Sequence, residues 1–283
     1  MMLRPFTFAS VLVFLLCLSA QAADVDLLMG NPSHASTNPH QRDNFLMNKQ
    51  FYALSYNNAK GTPNWVSWHL TKQYLGSAPR KPKFDPDTTL PSGFTRITHD
   101  DYTNSGFDRG HMCPHSDRNK TKEMSFATFV MTNIVPQSNE SNTGAWNQLE
   151  LYARHLVTTQ GKELYILAGP QGIRGEGRKG FKRTIAGGKV TVPEKIWKVI
   201  MVLDANTNDQ DIVRVNANTR LIAVIMPNDR SVPADDWGQY RVSVKDVEAL
   251  TGYTFFEKVP AHIMNPLKAT VDDEPIPVLP RTH

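Results

Sequence analysis

The sequence predicts a mixed fold of β-strands and α-helices, and three observations carry that expectation. Runs of aromatic and β-branched residues at 51–57, 65–70, 163–168, 196–203 and 220–226 have the length and composition of strands. Residues 142–157 set Trp146, Leu149, Ala153 and Leu156 at the spacing of one buried helical face. With 283 residues, 40% of them hydrophobic, the chain can bury a core as one large domain or two small ones.

The first segment, residues 1–22, reads as a targeting signal. Arg4 supplies its positive start, Phe8 to Leu18 is apolar, and Ala20-Gln21-Ala22 is a small-x-small cleavage site. That run is too short for a comfortable membrane span. An exported protein is therefore expected, periplasmic or extracellular and not held in a membrane. Losing Arg4 takes the net charge from +4 to +3. Attraction to polyanions must then come from local clusters. Cys17 leaves with the signal, so Cys113 can form no intrachain disulfide. A small buried residue is its expected role.

Residues 23–50, rich in Asn, Pro, Ser and His, read as an irregular leader before a domain at 51–265. The strand runs 51–57 and 65–70 flank a turn at Gly61, and His69, among aromatics, reads as structural. A Pro-rich loop at 76–93 carries Arg80. Residues 120–127 suit a short helix, and 129–132 a strand ending at Asn133. On a helix over 142–157, Asn142 and Glu150 can share one broad side, because positions four apart drift by only about 40°. An amide and a carboxylate so placed can hold a hydrated cation. Residues 169–189 carry Arg174, Arg178, Lys179, Lys182, Arg183 and Lys189 against one acid, Glu176. Such a glycine-rich loop can follow a phosphate backbone without reading bases; an ordinary solvated hairpin is an equal reading. Ser243 to Asp246 opens a helix with a capping box, and Gly252 ends it. Residues 266–283 form a Pro-rich tail.

The chemistry concentrates at 108–118, where Asp108-Arg109-Gly110-His111 is followed by His115, Asp117 and Arg118. Gly110 lets the backbone approach a ligand closely. A neutral imidazole can take a proton from water near neutral pH. The flanking arginines, Arg109 and Arg118, can hold a phosphate, and a nearby carboxylate can orient metal-bound water. Together these groups suit hydrolysis of a phosphodiester.

Three blocks in order carry a resemblance: Asp108-Arg109-Gly110-His111 with Pro114, then Thr132-Asn133-Ile134-Val135-Pro136-Gln137, then Asn142-Thr143-Gly144-Ala145-Trp146 with Leu149-Glu150. The chain from about Gly30 to about Val259 resembles the DNA/RNA non-specific endonucleases of the ββα-metal type, related to mitochondrial endonuclease G. The resemblance implies an α+β fold with a central antiparallel sheet, flanked by helices, and a ββα finger forming the metal site. It implies DNA and RNA as substrates and Mg²⁺ as cofactor, with Mn²⁺ able to replace it. His111 is then the general base and Asn142 the direct metal ligand. Glu150 positions metal-bound water, Asp108 assists, Arg109 contacts phosphate, Arg80 stabilises the phosphorane and Asn133 shapes the site. The expected product carries a 5′-phosphate. A homodimer is one candidate assembly.

Two alternatives compete with this reading. His111, Cys113 and His115 alternate, so a strand would put them on one face as zinc ligands, although no fourth ligand is evident. A nucleic-acid binder that does not cut is the other. If a neutral His111 is required, activity should fall as pH drops through the imidazole range, near 6.5 or below.

Overall fold

The computed structural model describes residues 25–206, 210–233, 236–277 and 279. The signal segment lies outside the described residues. In chain order the strands are β1 (Phe45–Asn48), β2 (Ala53–Asn57), β3 (Thr62–Leu70), β4 (Asp108–His111), β5 (Ile134–Gln137), β6 (Lys162–Gln171) and β7 (Gly175–Gly177). They continue as β8 (Gly180–Lys182), β9 (Thr184–Ile185), β10 (Val190–Thr191), β11 (Lys195–Asp204), β12 (Arg220–Pro227) and β13 (Arg241–Val242). The helices are α1 (Lys122–Ala127), α2 (Asn139–Thr143), α3 (Ala145–Thr159), α4 (Asp211–Arg214), α5 (Val244–Thr251) and α6 (Ala261–Ala269).

One seven-stranded sheet runs β1-β2-β3-β6-β11-β12-β13, with every neighbouring pair antiparallel. The expected α+β class and central antiparallel sheet are what the chain forms. Strands β3 and β11 alternate their bulk between two cores, as a period of two requires. Val66, Trp68 and Ile200 face one side, where Trp146, Leu149 and Leu156 of α3 cover them. Trp65, Trp197 and Val199 face the other, beneath Val244 and Val247 of α5, Met264 of α6 and Phe255 from the segment between these helices. Both faces are therefore dry, and β3 is buried along its whole length. The capping box at Ser243 and Asp246 forms, and Gly252 ends α5 at φ 74°, a left-handed position suited to glycine.

Four expectations shift. Residues 45–48 of the leader are not irregular, because they pair with β2 as the edge strand. The strand expected at 129–132 begins instead at Ile134. Phe129 and Met131 spend their backbone groups on Asp85, and Met131–Asn133 turns as a 3-10 helix. The helix expected at 142–157 is two helices, α2 and α3, broken at Gly144 (φ −95°, ψ −120°). The tail's first residue, Pro266, lies inside α6, and Asp272 beyond it accepts from Arg220 at 2.6 Å and from Arg241 at 3.2 Å.

Candidate active site

A two-stranded ribbon and a helix pair build the site. Strand β4 pairs antiparallel with β5, matching Asp108 with Gln137 and His111 with Ile134, and α2 and α3 follow directly. This is the expected ββα arrangement. Gly110 is required at its centre, since a Cβ there would lie 2.2 Å from Gln137 Oε1. Asn133 locks the next turn: its side-chain amide donates to the Cys113 and Thr128 carbonyls, and its oxygen accepts from Cys113 N at 2.9 Å.

A cleft of about 450 Å³ opens beside this ribbon, lined by Arg80, Arg109, His111, His115, Asn142 and Glu150 among others. Residues from three separate stretches of sequence, at 80, 109–116 and 142–150, thus meet on one concavity. Arg80 is carried there by its loop, which is pinned by Ser125 Oγ on the Pro79 carbonyl at 2.7 Å. Its guanidinium sits 5.3 Å from the Phe129 ring.

The His111 ring is held by aromatic walls, with Phe84 at 5.1 Å and Phe129 edge-on at 4.9 Å. Its Nε2 is enclosed and has no hydrogen-bond partner, which leaves Nδ1 as the ring nitrogen open to the cleft. Burial lowers its pKa to about 3, with the Arg80 charge and His115 acting in the same direction. The free ring is therefore neutral near pH 7.

Asn142 is oriented by Asp108. Its Nδ2 donates to Asp108 Oδ2 at 3.1 Å, and Asn139 Nδ2 donates to the same oxygen at 2.9 Å. A carboxylate only accepts, so the amide must present its NH₂ to Asp108 and its oxygen elsewhere. That oxygen has no partner among the described residues and is available to a hard cation. The break at Gly144 means that Asn142 and Glu150 do not share one helix, yet both reach the cleft.

Glu150 is anchored from below. Lys198, 2% exposed on β11, places Nζ 3.5 Å from Glu150 Oε1 and 4.0 Å from the centre of the Trp146 ring. Burial pushes the Glu150 carboxyl up and the Lys198 ammonium down, and their mutual attraction opposes both shifts. Sequence reasoning missed Lys198 and Asn139. A lone lysine inside Ile196-Trp197-Lys198-Val199-Ile200 was the available signal for the first.

Asn133 and Asp108 take supporting places, and other expected residues lie elsewhere. Asn133 is fully buried beneath the cleft, so it shapes the turn and touches no ligand. Asp108 lines the adjoining cavity rather than the His111 cleft and acts through Asn142. Arg118 is no phosphate ligand. It is 0% exposed and donates to the carbonyls of Phe51, Asp117 and His69, beside Asp26 at 3.6 Å. The zinc arrangement does not form: β4 ends at His111, His115 lies on a 3-10 helix lining the same cleft, and Cys113 is sealed in the core with its thiol pKa pushed up by burial. Arg109 lines both cavities, with Nε and Nη2 bound to the His99 carbonyl and Nη1 left open.

The sequence profile of the DNA/RNA non-specific endonuclease family matches residues 29–262. The chain belongs to that family. A nuclease from Nostoc sp. is 48% identical over 249 residues, 88% of this chain and 86% of its own. Nuclease C1 of Cunninghamella echinulata is 32% identical, covering 79% of this chain and 87% of the relative. The mitochondrial nuclease EXOG of Xenopus laevis is 35% identical over 74% of this chain, which spans only 57% of that relative's length. The crystal structure of an EndoG/EndoGI complex superposes with a TM-score of 0.66 at 25% identity, covering 84% of this chain and 92% of that one. The chain is thus a nuclease of the non-specific endonuclease family.

A second group could hold a divalent ion. Ligand atoms of His69, Glu163 and Asp211 lie within 4.8 Å of one another, the only such trio found among the described residues. His69 follows Trp68 on β3 and so points to the opposite face of the sheet, stacked 4.3 Å from Tyr165. Arg214 already engages both carboxylates, so a cation there would compete with a guanidinium. Neither His111 nor Asn142 belongs to it. No described helix is long and apolar enough to cross a membrane.

Proposed function

We propose that this nuclease cleaves DNA and RNA internally, with His111 as general base and one Mg²⁺ held by Asn142, Mn²⁺ being able to replace it. The convergence of Arg80, Arg109, His111, Asn142 and Glu150 on one cleft carries this reading. His111 Nδ1 takes a proton from the attacking water, a contribution of about 10²–10⁴-fold for a well-placed base. Arg80 and the free Nη1 of Arg109 face the phosphate and offset its charge, Arg109 with the planar geometry that suits phosphate oxygens. Glu150 accepts hydrogen bonds from water beside Asn142. When bound, the cation supplies polarisation of the phosphoryl group and charge neutralisation at the departing 3′ oxygen. The products carry 5′-phosphate and 3′-hydroxyl ends. Contacts to phosphates rather than bases fit weak sequence preference. The signal at 1–22 supports export to the periplasm or medium.

Incubating the purified protein with supercoiled plasmid and with RNA, in Mg²⁺ and in EDTA, tests this. Nicking, linearisation and RNA fragmentation are expected in Mg²⁺ alone, with ends that ligate without added kinase. Binding without nicking would identify a binder that does not cut.

A further inference from the structure

The hairpin β7–β8 presents an aromatic ring to solvent beside a row of cations. Phe181 is 56% exposed, one of few large apolar side chains so placed among the described residues. Its cross-strand partner is Glu176, so the two share one face of the ribbon. Lys182, the next residue, points to the other face and donates to the Ser105 carbonyl at 2.8 Å. Phe181 is thereby directed outward. The Arg174 guanidinium lies 4.8 Å from the centre of its ring.

The hairpin is fastened to the loop that leads into the active-site strand. Arg178 N donates to the Gly106 carbonyl at 2.9 Å, Lys179 Nζ donates to the Asn104 carbonyl at 2.8 Å, and a Cβ on Gly177 would lie 2.3 Å from Gly106 O. Arg178 and Lys179 at its tip line a second cavity with Arg109, and Arg109 also lines the His111 cleft. Two cavities that share Arg109 therefore lie between His111 and the hairpin tip, lined by Arg80, Arg109, Arg178 and Lys179 and by the carboxylates Glu150 and Asp108. The Arg178 guanidinium makes no hydrogen bond among the described residues.

Arg174 covers one face of the Phe181 ring, and the side chain is otherwise 56% exposed. Beside these cations, its chemistry suits an unpaired nucleobase, whose π-face stacks on an aromatic whatever its identity. Cations to either side hold the flanking phosphates. We infer that Phe181 is a stacking platform for a base of single-stranded nucleic acid whose backbone crosses Arg178, Lys179 and Arg109 on its way to the cleft. This rests on the proposed nucleic-acid reading and adds a preference for unpaired segments, since duplex bases are stacked on one another and cannot reach the ring.

The test is equilibrium binding in EDTA, where cleavage is suppressed, of a single-stranded oligonucleotide carrying 2-aminopurine, and of the same sequence as blunt duplex. The intact chain is expected to quench the single-stranded probe. Phe181→Ala should weaken single-strand binding about tenfold and remove the quench, with less than a twofold effect on duplex, whereas Phe181→Trp should retain both. Unchanged single-strand affinity in Phe181→Ala, or equal losses on both substrates, would overturn the inference. A chain that quenches the probe yet cuts nothing in Mg²⁺ would lose the nuclease mechanism and keep the platform. One that cuts while Phe181→Ala binds like the parent would lose the platform alone.

Discussion

His111→Ala is expected to lower kcat on plasmid and on RNA by about 10²–10⁴-fold while leaving the thermal midpoint close to that of the parent chain. The ring makes no hydrogen bond that its removal would orphan; it touches Phe84 and Phe129 and faces the cleft. Loss of turnover without loss of fold is the signature of a group that acts on the reaction. Steady-state cleavage and a melting curve on the same preparation check it. Near-parent kcat in a folded variant would take the proton transfer away from this residue.

Lys198→Met should have the largest effect on stability of any change near the cleft that leaves the reacting groups in place. Lys198 is sealed between Trp68, Trp146 and Glu150. Removing one partner of a buried ion pair costs roughly 3–5 kcal/mol when the other stays charged. Glu150, whose pKa burial already raises, can instead take up a proton. The sign follows. In the variant, folded Glu150 binds a proton at pH values where the unfolded carboxyl does not, so the deficit against the parent shrinks as pH falls and grows as pH rises. Urea unfolding at several pH values measures this. The same variant should need more Mg²⁺ for half-maximal rate, because a Glu150 no longer held by Lys198 orders water beside Asn142 less well. Adding Glu150→Gln should recover stability and leave activity low. A deficit that does not vary with pH would show that Glu150 does not respond to Lys198.

Much of this architecture was legible in the residues. Strands β3, β6, β11 and β12 stand out as aromatic and β-branched runs, because burial on both faces selects those side chains. The end of α5 was fixed by local chemistry at Ser243, Asp246 and Gly252. The cleft was legible by motif rather than by geometry. Arg80, Arg109, His111, Asn142 and Glu150 meet through long-range packing that no local pattern encodes. The continuous helix over 142–157 failed because Asn142 lies in phase with Trp146 by spacing, while the break depends on the backbone of Gly144. Arg118 misled for a related reason: a guanidinium suits a phosphate or three carbonyls equally, and only the fold decides. Lys198 was hidden because a buried charge contradicts composition rules unless its partner is known.

The acidic limbs of kcat/KM and kcat, measured at saturating Mg²⁺ from pH 3 to 8, test the central claim that a neutral His111, walled by Phe84 and Phe129 with Nδ1 open to the cleft, receives the proton. The limb of kcat/KM reports the free enzyme and that of kcat the substrate complex. With its pKa lowered to about 3, His111 stays deprotonated well below the ordinary imidazole range, so kcat/KM should hold level through pH 6.5. A bound phosphodiester brings negative charge to the ring and favours its protonated form, so the kcat limb should lie at higher pH. Two limbs that coincide at 6.5 or above would contradict the account, since they would belong to an exposed imidazole that does not sense the phosphate.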